Sequence, residues 1–124
     1  MRGMDFSETI SFLLEEFNIK IVEITNIPGD SECLSDRTFL RYKNNEVKIP
    51  SKRIVIAMCL SMWLPSFISY IAIENAGFTF ANTFEDSMFK MIIETCVGQT
   101  FISINKMLIS NHLDPLTNKK SNKI

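Results

Sequence analysis

Six basic side chains, Arg37, Arg41, Lys43, Lys48, Lys52 and Arg53, fall between residues 37 and 53 against a single acid, Glu46. The chemistry that such a cluster offers is the binding of phosphate or another polyanion. Its surroundings have the opposite sign. Residues 1–36 hold eight acids against two bases, and residues 54–118 hold five against two. A formal net charge of −1 therefore hides a segregated distribution. Because a surface field decays over about 8 to 10 Å in physiological salt, a local patch can attract a polyanion although the chain as a whole is slightly acidic. A solvated basic loop accounts for the same residues equally well. Three more lysines, Lys119, Lys120 and Lys123, follow near the end of the sequence.

Catalytic constellations are absent from the pattern. The one histidine, His112, sits near the end of the last helical stretch, where a cation complements the helix dipole, and a capping role outweighs a catalytic one. Glu15-Glu16 and Glu85-Asp86 read as solvated helix faces. The four glycines form no phosphate-binding loop. Three cysteines, Cys33, Cys59 and Cys96, stand apart without metal-ligand spacing. Cys59 is expected to be buried and Cys33 exposed, with no histidine near it in sequence to activate it. The residues point to no enzyme, no metal and no cofactor. The odd cysteine count and the lack of a secretory signal fit a reducing, cytoplasmic setting.

The elements that must carry the basic cluster are helical in pattern. Ten Phe and seven Met in 124 residues suit a single helical core. Ser7 is a plausible cap for a first helix with Ile10, Leu13, Leu14 and Phe17 on one face. Ile19 to Ile27 could be a strand or a loop running into a turn at Pro28-Gly29. Residues 28–52 hold the turn and most of the basic cluster, and within the inserted loop at 28–50 Thr38–Leu40 and Glu46–Ile49 could pair as a short β-hairpin around Asn44-Asn45. Ser51 can cap the next helix. Asn82 or Thr83 can cap a later one that carries Phe84, Met88, Met91 and Ile92, with Glu85 and Asp86 in the favourable first turn. A last helix spans about 99–111, and Asp114-Pro115 closes the domain.

From Ile54 to Ile73 the chain carries no charge for 20 residues, a length that would span a bilayer as one helix. Pro65 interrupts this run, Ser61, Ser66 and Ser69 dilute it, and no aromatic belt flanks it. It therefore reads as two buried helices that meet at Pro65, with no membrane span. Trp63, beside that break, is expected to pack over the joint between them.

A basic loop followed by helix, tight turn and helix has the outline of a helix-turn-helix DNA binder. The residues ISFLLEEFNIKIVEI at 10–24, IAMCLSMWL at 56–64, ISYIA at 68–72 and FISINKMLI at 101–109 resemble, in order, the C-terminal DNA-binding domain of the bacterial replication initiator DnaA. This resemblance covers about residues 7–113 and implies a Trp-repressor-like fold that binds double-stranded DNA. By the same resemblance Arg53 matches the family's arginine before the first long helix. Lys48 and Lys52 would join it in phosphate anchoring, and Asn82 and Thr83 would face the groove. Two departures stand out. The linker before Arg53 is longer than the family's by about twenty residues, and the Arg-Asp-His-Thr-Thr recognition signature is replaced by GFTFANTF at 77–84, where only Thr83 has a clear equivalent. Phe78, Phe80 and Phe84 cannot supply the paired donors and acceptors that read base edges.

The expectation is thus an all-α domain over residues 1–115 with a basic disordered tail at 116–124. It would bind double-stranded DNA in replication or transcription control. A second reading keeps the scaffold but gives Phe78, Phe80 and Phe84 to a protein partner or homodimer. A third is a small bundle that holds a partner's helix in a Met- and Phe-lined groove.

Overall fold

The computed structural model describes residues 1–118, and within them every regular element is a helix. In chain order these are α1 (Phe6–Glu16), α2 (Ile21–Ile24), α3 (Asp36–Lys43), α4 (Lys52–Ser61), α5 (Ser66–Asn75), α6 (Phe84–Thr95) and α7 (Phe101–Ser110). The all-α class expected from composition is the one found. Among the described residues no helix is long and apolar enough to cross a membrane. The uncharged run divides at Pro65, which stands as the N-cap of α5, and gives two ten-residue helices.

The hairpin expected within 28–50 does not form. Thr38–Leu40 lie inside α3, and the local reasons are strong. Ser35 caps the helix by accepting a hydrogen bond from the Thr38 N–H, Asp36 occupies its first turn, and Arg41 and Lys43 occupy its last. Phe39 and Tyr42, three residues apart, bury one face. Asn45, with φ +59°, ends the helix in the left-handed conformation that Asn tolerates. The Asn-Asn pair that suggested a hairpin turn thus serves as a helix terminator.

Asp5 rather than Ser7 caps α1. Its carboxylate accepts from the Glu8 N–H at 2.8 Å while the Glu8 carboxylate accepts from the Asp5 N–H at 3.1 Å, a reciprocal capping box. Ser7 is thereby free for another task, and its hydroxyl donates to the Lys43 carbonyl at the end of α3. With Ile10, Leu13 and Leu14 buried beneath, α1 forms the floor on which α3 rests. The stretch 19–27 forms the single turn α2 rather than a strand. Behind these elements α4 is buried from Val55 through Ser61, and α5, α6 and α7 close around it.

The loop between α2 and α3 is pinned by residues about seventy positions away. Asp30 is buried, and its carboxylate accepts from the N–H groups of Phe101 at 2.7 Å and Ile102 at 3.2 Å, so it satisfies the first turn of α7. Asn105, with 0% exposure, donates to the Glu32 carboxylate at 2.8 Å and to Thr117 Oγ1 at 2.8 Å, and accepts from the Leu116 N–H at 2.8 Å. The Thr117 hydroxyl donates in turn to the Glu32 carbonyl at 2.6 Å. Leu116 and Thr117 are therefore packed parts of the domain rather than the start of a tail. The remainder of the expected tail, from residue 119, lies outside the described residues.

Replacing Asn105 by Ala strands the Leu116 N–H and the Glu32 carboxylate in a buried site. Each unsatisfied group costs about 1 to 3 kcal/mol. Urea unfolding should show a loss of about 2 to 4 kcal/mol, whereas the exposed Ser110→Ala change should stay within about 0.5 kcal/mol.

Candidate nucleic-acid interface

The residues assigned to phosphate anchoring divide sharply in their environments. Lys52, the first residue of α4, directs its ammonium group inward. It donates to Asp86 Oδ1 at 2.8 Å and to the Thr79 carbonyl at 2.7 Å, and lies 4.6 Å from the centre of the Phe80 ring. Arg53 donates to the Glu85 carboxylate and stacks 5.6 Å from the Phe89 ring, while its Nε is buried without a hydrogen-bond partner. Both cations are spent on joining the start of α4 to the start of α6. Of the three expected anchors, only Lys48 is exposed and outside any ion pair among the described residues.

Asp86 is the centre of this junction. Burial raises its proton affinity, but the Lys52 ammonium and the Ala81 N–H, which donates at 2.5 Å, outweigh that and hold the carboxyl below its ordinary range. The Asp86 N–H donates to Thr83 Oγ1 at 3.1 Å. Thr83, expected to face the groove, is thus the cap of α6, although it stays exposed together with Asn82. Glu85 and Asp86 follow at once, but Asp86 is buried and the two are paired with Arg53 and Lys52, so the charges at this helix end offset one another.

The phenylalanine patch is also divided. Phe78 and Phe80 are half-buried against the core, with Phe80 edge-on to Tyr70 at 5.5 Å, and only Phe84 is exposed. Trp63 departs most from expectation. It adopts φ +54° in the turn between α4 and α5, is 68% exposed, and lies so close to Gly98 that a Cβ there would stand 3.7 Å from its ring. Phe67, the second residue of α5, is 66% exposed. Cys33 proves to be buried and accepts from the Ile27 N–H. Cys59 is fully buried, as expected, and burial pushes its thiol up to about 12. His112 is exposed with φ +63°, just past the end of α7.

One surface that the sequence pattern did not single out carries the unspent basic groups. Along α3 the residues Arg37, Leu40, Arg41 and Asn44 are exposed and recur at helical spacing, one face of the helix turned to solvent. Neither arginine takes part in an ion pair among the described residues. With Asp36 and Glu46 these four side chains line one shallow depression. The opposite face holds α3 to α1 and α2 through Phe39 and Tyr42, and the Tyr42 hydroxyl accepts from the Ser51 N–H at 3.0 Å. The charge segregation had already isolated Arg37 and Arg41. Their shared face becomes visible once the segment is a helix.

Among the described residues no group of three or more His, Cys, Asp or Glu is placed to hold a metal ion. No family model, no curated protein and no solved structure matches the chain.

Asp86→Asn should lower stability at pH 7 by about 2 kcal/mol, the scale of a hydrogen bond to a charged partner. A carboxyl held low in the folded state stabilises above its unfolded value, near 3.8, and that contribution disappears as pH falls through the folded value. Unfolding midpoints measured from pH 7 down to pH 2 should therefore fall less steeply below pH 4 in the variant than in the parent.

Proposed function

We propose that the chain binds double-stranded DNA through α3, acting as a helix-turn-helix protein in replication or transcription control. The observation that supports this is the solvent face of α3, where Arg37, Arg41 and Asn44 project from a rigidly backed helix with no carboxylate paired to either arginine among the described residues. A helix of about 10 to 12 Å diameter fits a major groove of about 12 Å. Arginine and asparagine are the side chains that pair bidentately with guanine and adenine edges. α2 packs on α3 from the preceding segment, joined to it by the loop 25–35. Compared with the reading drawn from DnaA-like motifs, the groove-facing role moves from the Asn82-Thr83 end of α6 to α3, because Lys52 and Arg53, the cations beside that end, are already paired with Asp86 and Glu85.

A mixed-sequence duplex with a fluorescent end label should bind with an affinity that falls steeply as salt rises. Arg37→Gln with Arg41→Gln should weaken binding at least tenfold at 100 mM salt, on the scale of one to three kcal/mol per arginine contact. Lys52→Gln should change stability more than affinity. Retention of full affinity by the double variant would remove α3 from the interface.

A second reading, a protein-interaction module on the same scaffold, is favoured by the exposure of Trp63 and Phe67, four residues apart on either side of Pro65. Aromatic side chains left this open on a small domain are the anchors that interfaces enrich. On that reading, the double change Trp63→Ser and Phe67→Ser would abolish a dimer or complex in sizing chromatography and leave the far-ultraviolet helical spectrum intact. A single monomeric species before and after the change counts against it.

A further inference from the structure

We propose that the exposed face of α3 pairs with the same face of a second copy of this chain, antiparallel about a two-fold axis near Leu40, and that this pairing competes with DNA for the surface. The self-association stands on its own observations, and only the competition rests on the DNA-binding reading above. Its ground is the order of charges along the face. Asp36 opens the helix, Arg37 and Arg41 lie one turn apart with Leu40 between them, and Glu46 closes the row, folded back so that its N–H donates to the Arg41 carbonyl at 2.8 Å. All five side chains are exposed. None of the four charges belongs to an ion pair among the described residues. The face therefore carries two cations and two anions around an apolar centre, neutral in sum and unpaired in the single chain.

Such a pattern is complementary to itself in one orientation. Set side by side in the same direction, two copies would put Asp36 against Asp36 and Arg41 against Arg41. Turned end for end, Glu46 of each copy faces Arg37 of the other, and Asp36 faces Arg41. The opposed helix ends also meet favourably, one N-terminus beside the other's C-terminus, and Leu40 meets its own counterpart at the axis. A duplex engages the two arginines alone, whereas a second copy engages all four charges. The face is firmly backed for docking, since Phe39 and Tyr42 are buried on its far side and the Ser7 hydroxyl holds the Lys43 carbonyl. An eight-residue helix is about 12 Å long, and a contact confined to it covers less than the roughly 800 Å² per partner of a stable interface. The pairing is accordingly weak, reversible and sensitive to salt, the regime in which a duplex can displace it.

Sedimentation equilibrium of the full chain in about 50 mM salt should show the mass rising from 14.2 kDa toward twice that value as the concentration approaches about 1 mM, and returning to one chain in about 0.5 M salt. Arg37→Glu alone and Glu46→Lys alone should each weaken the association about tenfold or more, because like charges then meet on both sides of the axis. An equimolar mixture of the two variants should associate again, since each reversed charge meets its opposite. Both positions are exposed, so the far-ultraviolet spectrum of each variant should match that of the parent. A single-chain mass at every concentration overturns the proposal. So does an association that neither reversal touches, or a mixture of the variants that stays monomeric. Added duplex should return the parent to single chains bound to DNA, and a duplex that binds while the pair stays intact overturns the shared face. If no duplex binds but the charge reversals act as stated, the DNA-binding reading falls and the pairing of α3 stands.

Discussion

A ten-residue helix buried on every side has to be supplied with partners by the rest of the chain, because it cannot turn a charged face to water. α4 is such a helix, closed in from Val55 to Ser61. Its charges are pushed to its first turn, and there Lys52 and Arg53 meet the acidic first turn of α6. Two half-buried ion pairs at one helix junction do little for net stability by attraction alone, since desolvation offsets most of it. What they do is fix register. With Lys52 joined to Asp86, to the Thr79 carbonyl and to the Phe80 ring, the beginning of α6 has one seat on α4.

That junction also decides which basic groups remain available. Arg53 and Lys52 stand at the foot of a helix just after a basic loop, and sequence motifs alone make them natural phosphate anchors. Folding brings Glu85 and Asp86 to them and removes them from the surface. The cations left over are those of α3, where Asp36 and Glu46 line the same depression but form no ion pair with Arg37 or Arg41 among the described residues. In the DNA-binding reading, then, the division of labour among six neighbouring basic residues is set by tertiary pairing, with the first members of the cluster outward and the last two inward.

Much of the fold could be read from local spacing. Ser51 as a cap, the break at Pro65 and the cap at Thr83 all depend on neighbours within a few residues, which is the range over which sequence patterns speak. The parts that could not be read are those fixed from far away. Asp30 caps a helix that begins at Phe101, and Lys52 meets Asp86 across 34 positions. Cys33 is buried because that pinned loop folds inward, not because of anything adjacent to it. α3 was a local misreading, as were the cap of α1, at Asp5 rather than Ser7, and the strand considered where α2 forms. Asn44-Asn45 suits a hairpin turn and a left-handed helix end alike, and the pair Phe39 and Tyr42, with Ser35 before it, tips the balance to helix. The candidate interface was hidden by that ambiguity, since a strand would have split Arg37, Arg41 and Asn44 between two faces.

The turn at Trp63 has an optical consequence. The chain contains a single tryptophan, so all indole emission arises from one ring, and that ring lies open to water while resting on the backbone at Gly98. It touches the α4–α5 turn on one side and the α6–α7 turn on the other. The emission of the folded protein will therefore lie close to that of free indole in water, and the colour of its fluorescence will say little about unfolding. Its quenching and polarisation, by contrast, will respond to anything that covers or parts those two turns. The domain carries a native reporter at the seam between its two pairs of helices, tuned to contact rather than to collapse.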